Sequence, residues 1–278
     1  MDRRPRSFYV LAAFFTLFVL FLYGPILTIG ILSFQGPQGG LTFPMNGVSL
    51  HWFRDLFQEQ AVGDIWGAFG RSSALGLMVM VTTVVVSVMA GLAFRKQFLG
   101  SGILFYAAIT SLVIPSILIS LGVGLIFNQL GLKIHWATSG FGSQLTWTLP
   151  FGLLIMFAVF NRFDKSYEEA ARDQGASAWQ TIRYVVLPII APSLVGVALF
   201  GFTLSYDEFA RTLLTAGSYN TLPLEIFGMT TNVTTPVIYA LGTLTTAFSL
   251  AIILAFLFGA WIIAKRRARL GSDAGRGV

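Results

Sequence analysis

Residues 226–269 read IFGMTTNVTTPVIYALGTLTTAFSLAIILAFLFGAWIIAKRRAR. No charged side chain occurs over residues 226–264, and a basic cluster follows at once. A helix needs about 20 residues to cross the hydrocarbon core of a bilayer, at about 1.5 Å rise per residue. We therefore predict that residues 237–264 form a membrane-spanning helix that ends at a basic, water-facing segment.

Other charge-free intervals, each long enough to cross a bilayer, precede this one. Hydrophobic residues make up 55% of the 278 and charged residues 11%, whereas an ordinary soluble domain has about one quarter charged residues. A helix with one wet face would carry charges every turn or two. The sequence therefore predicts an all-α integral membrane fold. We expect six transmembrane helices, at about 8–34, 67–94, 102–127, 146–162, 190–206 and 237–264.

The basic residues predict the orientation of these helices. With the N-terminus in the cytoplasm, 14 of the 18 Lys and Arg residues fall in cytoplasmic segments. This bias satisfies the positive-inside rule, so we expect a multi-pass membrane protein with both termini cytoplasmic. The net charge of +6 then reflects topology and contact with anionic lipid, and no nucleic-acid partner is needed to explain it. The 14 residues are Arg3, Arg4, Arg6, Arg95, Lys96, Arg162, Lys165, Arg172, Arg183, Lys265, Arg266, Arg267, Arg269 and Arg276.

We predict one membrane domain with three segments. Residues 1–66 would form an N-terminal transmembrane helix and a periplasmic segment, residues 67–264 a core of five transmembrane helices, and residues 265–278 a basic cytoplasmic tail. Within the core, residues 162–188 form the one long polar segment expected on the cytoplasmic face.

Part of that polar segment, residues 167–188, reads YEEAARDQGASAWQTIRYVVLP. Strong helix formers lead to Gly175, which suits a helix C-terminus where φ becomes positive. The hydroxyl of Ser177 can cap a second short helix, which would end where Leu187-Pro188 restarts the chain. The pattern predicts a helix, a glycine corner and a second helix.

The second short helix is expected to present one apolar ridge on a water-facing surface. Such a ridge indicates a groove in a partner protein, although an ordinary amphipathic loop joining two spans is the alternative. The residues of the predicted ridge are Ala178, Trp179, Ile182, Val185 and Val186.

Glu169-Ala170-Ala171, Gly175 and Leu187-Pro188 resemble, residue by residue, the EAA loop of ABC importer permeases. In that family the second short helix is a coupling helix that docks into a cleft of the ATP-binding subunit, and the resemblance implies this role for residues 176–183. It also implies a type I importer permease (MetI-like) core of five helices with one extra N-terminal helix. The residues implied in ATPase coupling are Glu168, Glu169, Ala170, Ala171, Gly175, Ala176, Ala178, Trp179, Ile182, Leu187 and Pro188.

The chain is also similar to spermidine/putrescine-type permeases, because an F-T-L-S segment from Phe202 leads into Asp207-Glu208 and later into the L-P-L-E-I run of residues 222–226. This resemblance implies the second permease of a polyamine importer. The same machinery importing iron, phosphonate, thiamine or a similar solute is the alternative.

The family resemblance implies a location in the bacterial inner membrane, whose lipid bilayer surrounds the chain, and a set of protein partners. These are two copies of an ATP-binding cassette subunit, a second homologous permease and a periplasmic solute-binding protein. The chain has no G-x-x-x-x-G-K-[ST] run, so we expect no catalysis and no cofactor here, with ATP and Mg²⁺ on the partner ATPase. A stand-alone channel or secondary transporter is an alternative from a different class. A six-span membrane enzyme would need polar catalytic groups that the charge-free intervals do not offer.

Candidate substrate-path residues lie at the outer end of the fifth predicted span. Asp207 and Glu208 could attract a polycation, or could simply mark where the helix enters water. Tyr206 and Phe202 could line the route, because aromatic faces bind ammonium groups, although aromatic residues near span ends are typical of the interfacial belt. No metal site is expected, since the chain has no cysteine and its two histidines stand apart from carboxylates in our interpretation.

Overall fold

A computed structural model of the chain describes residues 5–58, 63–96, 98–232 and 235–274, apart from the side chains of residues 232 and 266–274. Three residues used in the orientation prediction, Arg3, Arg4 and Arg276, lie outside the described residues, as do the side chains of Arg266, Arg267 and Arg269. The predicted basic tail over residues 265–278 therefore lies largely outside the described part.

The named elements of the described residues are all helical. They are eleven α-helices and two five-residue π-helical turns, at Trp136–Gly140 and Ile182–Val186. Each π turn leads directly into an α-helix, α6 and α9 respectively. The helices are α1 Arg6–Leu32, α2 His51–Asp55, α3 Ile65–Phe94, α4 Ser101–Thr110, α5 Ser116–Gln129, α6 Phe141–Asn161, α7 Ser166–Asp173, α8 Ala178–Thr181, α9 Leu187–Tyr206, α10 Leu222–Asn232 and α11 Val237–Ala274.

Five of the predicted spans are confirmed as continuous apolar helical segments. Among the described residues, the segments long and apolar enough to cross a membrane are Arg6–Leu32, Ile65–Phe94, Trp136–Asn161, Ala178–Tyr206 and Val237–Lys265. Two of them start earlier than predicted, the fourth span at 136 instead of 146 and the fifth at 178 instead of 190.

The third predicted span, residues 102–127, is wrong as a single helix. Helix α4 ends at Thr110, and α5 begins at Ser116. Between them Pro115 has φ −54° and ψ 132°, which is not a helical conformation. Proline has no backbone N–H to donate, and its ring clashes with the carbonyl four residues earlier. The break therefore follows from a proline that the hydropathy pattern passes over.

The chain folds into two compact units, one of residues 1–65 and 226–249 and the other of residues 66–225 and 250–278. In the first unit, α1 keeps its apolar side chains on the surface, as a helix facing lipid does. The loop after α1 is closed by Gln35, whose Nε2 donates to the carbonyl of Gly40 at 2.7 Å and whose Oε1 accepts from the N–H of Asn46 at 3.0 Å. The predicted three-segment division stays a prediction.

The second unit is built on α3, α6 and α9. Its buried core contains Met156 and Phe160 from α6, Ile190 and Val197 from α9, and Val186 from the π turn before α9. Apolar residues of α3, including Val84 and Val88, pack against this core. Most of the charged and polar groups described below lie on these three helices or on the segments next to them in the sequence.

Small residues let α3 approach α6 and α9 closely. A Cβ on Gly152 would lie 2.1 Å from Ser87 Oγ and 2.9 Å from Thr83 Cγ2, and a Cβ on Gly201 would lie 3.1 Å from Met80 Cα. Thr83 Oγ1 also donates to Thr148 Oγ1 at 2.9 Å. In a membrane, where lipid is as apolar as leucine, such close backbone contacts and interhelical hydrogen bonds hold helices together.

We expect Gly152→Ala to destabilise the protein by about 1–3 kcal/mol, because the added methyl group forces α3 and α6 apart. The measurement is the apparent melting temperature of the purified protein in detergent. Gly196→Ala in α9 is the matched control, since a Cβ there meets nothing within 4 Å. Equal melting temperatures for the two variants would contradict the close-contact argument.

Candidate functional site

The predicted helix–glycine–helix arrangement is present, and we call residues 166–181 the corner. Helix α7 ends at Asp173, and Gly175 follows with φ +80°. The N–H of Gly175 donates to the carbonyl of Arg172 at 2.8 Å, and the N–H of Ala176 donates to the carbonyl of Ala171 at 3.0 Å. This pair of bonds is the Schellman motif, which needs a residue that tolerates positive φ.

The second helix of the corner starts with a complete capping box. Ser177 Oγ accepts from the N–H of Gln180 at 3.3 Å, and Gln180 Oε1 accepts from the N–H of Ser177 at 2.8 Å. Together with the Schellman motif, these bonds satisfy backbone groups at both facing helix ends. The direction of α8 relative to α7 is therefore fixed by local hydrogen bonds.

The predicted single apolar ridge is wrong in part. Trp179 is 64% exposed, whereas Val186 is 1% exposed and packs in the core, with Ile182 between these extremes. Residues seven apart share a face in a uniform α-helix. The wider π turn at Ile182–Val186 changes that registration. The exposed surface of the corner consequently contains Trp179 and Ala178, while Val186 packs in the core.

The predicted restart of the chain at Leu187-Pro188 is also wrong. Residues 178–206 form one uninterrupted helical segment, with Pro188 in the first turn of α9 directly after the π turn. Pro188 has no backbone N–H to donate, and the π turn that ends at Val186 lies just before it, where the regular α-helical hydrogen-bond pattern is already interrupted. The corner and the far end of α9 therefore belong to one helical rod.

Glu168, predicted as a coupling residue, faces inward. Its carboxylate pairs with the guanidinium of Arg95, which directly follows α3, and Arg172 Nη2 lies 3.6 Å from its other oxygen. The Arg95 guanidinium also lies 5.3 Å from the ring centroid of Phe160 and 5.2 Å from that of Phe163. Glu169, in contrast, is exposed.

A pocket of about 370 Å³ lies beside this ion pair, between the end of α3 and the corner. Its lining combines four basic side chains with two acidic ones. The lining residues are Leu92, Arg95, Lys96, Lys165, Glu168, Glu169, Arg172, Ala178, Thr181 and Ile182.

At the other end of α9, the two predicted path aromatics are buried. The ring of Phe202 stacks on that of Tyr206 with centroids 5.7 Å apart, and Tyr206 contacts the edge of Phe69 at 6.3 Å. Neither side chain lies on an open surface in this conformation. Their role in a substrate path stays a prediction.

The two acidic residues after α9 differ in their surroundings. Glu208 Oε1 accepts from the backbone N–H of Arg211 at 3.2 Å, and its charge favours the protonated form of that arginine. Asp207 is exposed at the surface, where partial desolvation by the neighbouring protein raises the pKa of its carboxyl. Asp207 is therefore the more accessible of the two acids.

Arg211, one of the four basic residues that fall outside the predicted cytoplasmic segments, is fully buried. Its Nη1 donates to Thr146 Oγ1 at 2.6 Å, and its guanidinium lies 5.1 Å from the ring centroid of Trp147. Its backbone carbonyl accepts from Ser143 Oγ at 3.0 Å. Burial lowers the pKa of Arg211, and the charge of Glu208 partly opposes this shift. Arg211 thus ties the loop after α9 to the start of α6.

Further polar groups on α6 and α9 are buried near this end of the second unit. Within the described residues, both side-chain amide atoms of Gln144, the Nε1 of Trp147 and the Oγ of Ser205 have no hydrogen-bond partner. Buried polar groups are normally paired, and those inside a membrane protein commonly face water or a solute path.

The histidines do not assemble a metal site among the described residues, where no group of three potential ligands occurs. The interpretation of His51 as lacking a carboxylate neighbour is wrong, since its Nε2 lies 3.3 Å from Asp55 Oδ2, one turn later in α2. His135 Nδ1 accepts from the N–H of Ala137 at 3.2 Å and so caps the first π turn.

The sequence pattern identifies Glu168, Asp207 and Glu208 as candidates, but it predicts neither the pairing of Glu168 with Arg95 nor the buried position of Arg211. Arg95 lies 73 residues from Glu168, and Arg211 lies 65 residues from Thr146. A single sequence carries no signal for pairs so far apart. The available indication was an arginine shortly after the end of an apolar helix in each case.

Comparison with known proteins places this geometry in context. Residues 83–269 match the family described as binding-protein-dependent transport system inner membrane component. The chain is 30% identical over 255 residues to the spermidine/putrescine transport system permease protein PotC of Haemophilus influenzae, covering 88% of this chain and 94% of that protein.

Two solved structures share the fold. An inward-facing methionine ABC transporter, MetNI, matches with a TM-score of 0.55 and 18% identity, over 72% of this chain and 94% of that chain. A bacterial alginate ABC transporter, in complex with a periplasmic protein bound to an alginate pentasaccharide, matches with a TM-score of 0.64 and 14% identity, over 94% of each chain.

We expect Thr146→Val to loosen the loop at residues 207–221, because it leaves a buried guanidinium N–H of Arg211 without its acceptor, at a cost of about 1–3 kcal/mol. Amide hydrogen exchange in this loop, measured by mass spectrometry, should accelerate. Thr16→Val is the control, since that hydroxyl is exposed and bonds only to its own helix, at the carbonyl of Ala12. Unchanged loop exchange in Thr146→Val would remove Arg211 as the anchor.

Proposed function

Since this chain belongs to the family of binding-protein-dependent transport system inner membrane components, we propose that its corner couples a solute path along α3, α6 and α9 to a separate ATPase. The chain is a membrane-embedded permease subunit of an ABC importer, and ATP hydrolysis belongs to another polypeptide. The observation that carries the coupling role is Trp179, a large aromatic side chain held 64% exposed on a rigid corner.

The corner has the properties of a docking element. Aromatic side chains that fill a partner's pocket contribute most of the binding energy in protein interfaces. The Schellman motif and the capping box hold α8 in place before binding, so little conformational entropy is lost when the partner docks. Glu169, Ala178 and Trp179 are exposed around this element and form the proposed contact surface.

The partners and the orientation follow from the same proposal. The corner and both termini lie in the cytoplasm, where two copies of an ATP-binding cassette subunit hold ATP and Mg²⁺. A second homologous permease completes the path across the inner membrane, and a periplasmic solute-binding protein delivers the solute on the other side. The bias of basic residues towards the segments assigned to the cytoplasm supports this orientation.

The helical rod from Ala178 to Tyr206 provides the mechanical link. Trp179 lies near one end, and Asp207 directly follows the other, about 40 Å away at about 1.5 Å rise per residue. Closure of the ATPase subunits would move α8, and a continuous helix would carry that movement to the 202–208 region. The π turn at Ile182–Val186 is the place where the rod can adjust its angle.

We propose a polyamine such as spermidine or putrescine as the solute. The similarity to PotC supports this assignment, and the exposed carboxylate of Asp207 offers an acceptor for an ammonium group. Glu208 contributes less, because Arg211 lies beside it. Another solute carried by the same machinery is the alternative, since the alginate transporter shares this fold while importing an acidic polysaccharide.

The coupling proposal predicts that Trp179→Ala reduces co-purification of the ATPase subunit at least about tenfold, as expected for loss of an interface hot spot. The measurement is the ATPase-to-permease ratio after affinity purification of the tagged chain from native membranes. Trp66→Ala is the control, because Trp66 lies at the start of α3 and the corner lies beside the end of that helix. Retention of a normal ratio in Trp179→Ala would contradict docking through the corner.

The substrate proposal predicts that Asp207→Asn lowers uptake of radiolabelled spermidine more than Glu208→Gln does, with ATPase association unchanged. Because the pKa of Asp207 is raised, its carboxylate is lost at a higher pH on acidification than that of an ordinary aspartate. Uptake by the wild type should therefore fall as the pH drops, and Asp207→Asn should remove that dependence. Equal uptake by the wild type and Asp207→Asn would exclude Asp207 from the path.

A further inference from the structure

We propose that Arg95 is a positioning residue, which locks α7 to the ends of α3 and α6 through Glu168 so that force on the corner moves these helices together. This inference rests on the proposed coupling function and adds a second connection to it. The rod formed by α8 and α9 is the covalent connection, and the Arg95–Glu168 pair links the corner to the other two helices of the core.

The Arg95–Glu168 pair is shielded from water enough to transmit force between the corner and the core helices. The side chains of Arg95 and Glu168 are 14% and 12% exposed, whereas most side chains of α7 around Glu168 are exposed. Ion pairs on a fully wet surface contribute little, because water and salt screen them. A pair screened from water on most sides is held more firmly, and breaking it leaves a poorly solvated charge.

Arg95, which directly follows α3, has contacts with two further helices. Its guanidinium binds the carboxylate of Glu168 on α7 and lies over the rings of Phe160, near the end of α6, and Phe163, just beyond it. The planar guanidinium can accept both kinds of contact because it stacks on aromatic faces while its N–H groups bind a carboxylate. Lysine would keep the charge but not this combined geometry.

The neighbouring charges favour a single fixed pairing. Around the 370 Å³ pocket, Lys96, Lys165 and Arg172 accompany Arg95, and Glu168 and Glu169 are the acids. Arg172 also approaches Glu168, one helical turn away, but its side chain is 61% exposed. The buried bond of Glu168 therefore runs to Arg95, and the exposed carboxylate of Glu169 is left for a partner.

A positioning role differs from a docking role in its consequence. The surface presented to the ATPase, with Trp179 and Glu169, does not include Arg95, so the complex should still form without the pair. Nucleotide-driven movement of the corner would then be lost between α7 and the core helices. ATP would be hydrolysed with less solute carried, which is a failure of coupling and not of assembly.

The test uses the importer purified with its own ATPase and binding protein and reconstituted in proteoliposomes, with radiolabelled spermidine as the transported solute. Arg95→Gln and Glu168→Gln should each lower the solute imported per ATP hydrolysed by about fivefold or more, the scale of typical coupling between sites. Arg95→Lys should recover part of the ratio. Lys96→Gln, which removes the same charge from the adjacent exposed residue, should leave it unchanged.

A wild-type ratio in both Gln variants would overturn the inference. If either Gln variant fails to assemble, Arg95→Lys decides the matter, because it keeps the charge but not the stacked geometry. Assembly with a ratio below that of the wild type supports the inference, whereas a wild-type ratio or a failure to assemble overturns it. Failure of the proposed function is distinguishable, because then the wild-type chain itself would bring no ATPase with it or would carry solute without ATP.

Discussion

A peptide group in hydrocarbon finds no water with which to hydrogen-bond, so the chain must satisfy its own N–H and carbonyl groups. Helices do this within each segment, and among the described residues the long apolar segments are indeed helical. The hydrophobic effect cannot then hold one helix to another, since lipid is equally apolar. Association of the helices therefore depends on close packing, which explains why Gly152 and Gly201 lie where α3 meets α6 and α9.

The same constraint makes charged residues rare, and two of them, Arg95 and Arg211, have clear structural roles. Arg95 and Arg211 serve opposite ends of α6, and each combines an aromatic face with a hydrogen-bonding partner. Both arginines attach an excursion of the chain to the helical core: α7 in one case and the loop after α9 in the other. A permanently charged, planar side chain suits this task because it retains favourable contacts after most of its hydration is lost.

Much of the fold could be predicted because each membrane-spanning helix requires a long run of apolar residues, which is visible in the sequence. Five spans, the glycine corner and the cap at Ser177 each depend on residues close together in the chain. The break at Pro115 was missed because hydropathy does not register the loss of a backbone donor. The ridge through Trp179 and Val186 failed because a π turn, which leaves no mark in composition, alters the helical registration. The pairing of Glu168 with Arg95 and of Arg211 with Thr146 depends on tertiary structure, which a local pattern cannot supply.

The single rod from Ala178 to Tyr206 has a thermodynamic consequence. If docking of the ATPase subunit at one end and binding of solute at the other both favour particular tilts of this continuous helix, their binding free energies are linked. Linkage is symmetrical, so the factor by which nucleotide alters the solute affinity equals the factor by which solute alters the nucleotide affinity. In such a permease, binding of the solute would itself change the nucleotide affinity of the ATPase subunit, and no separate sensor would be needed.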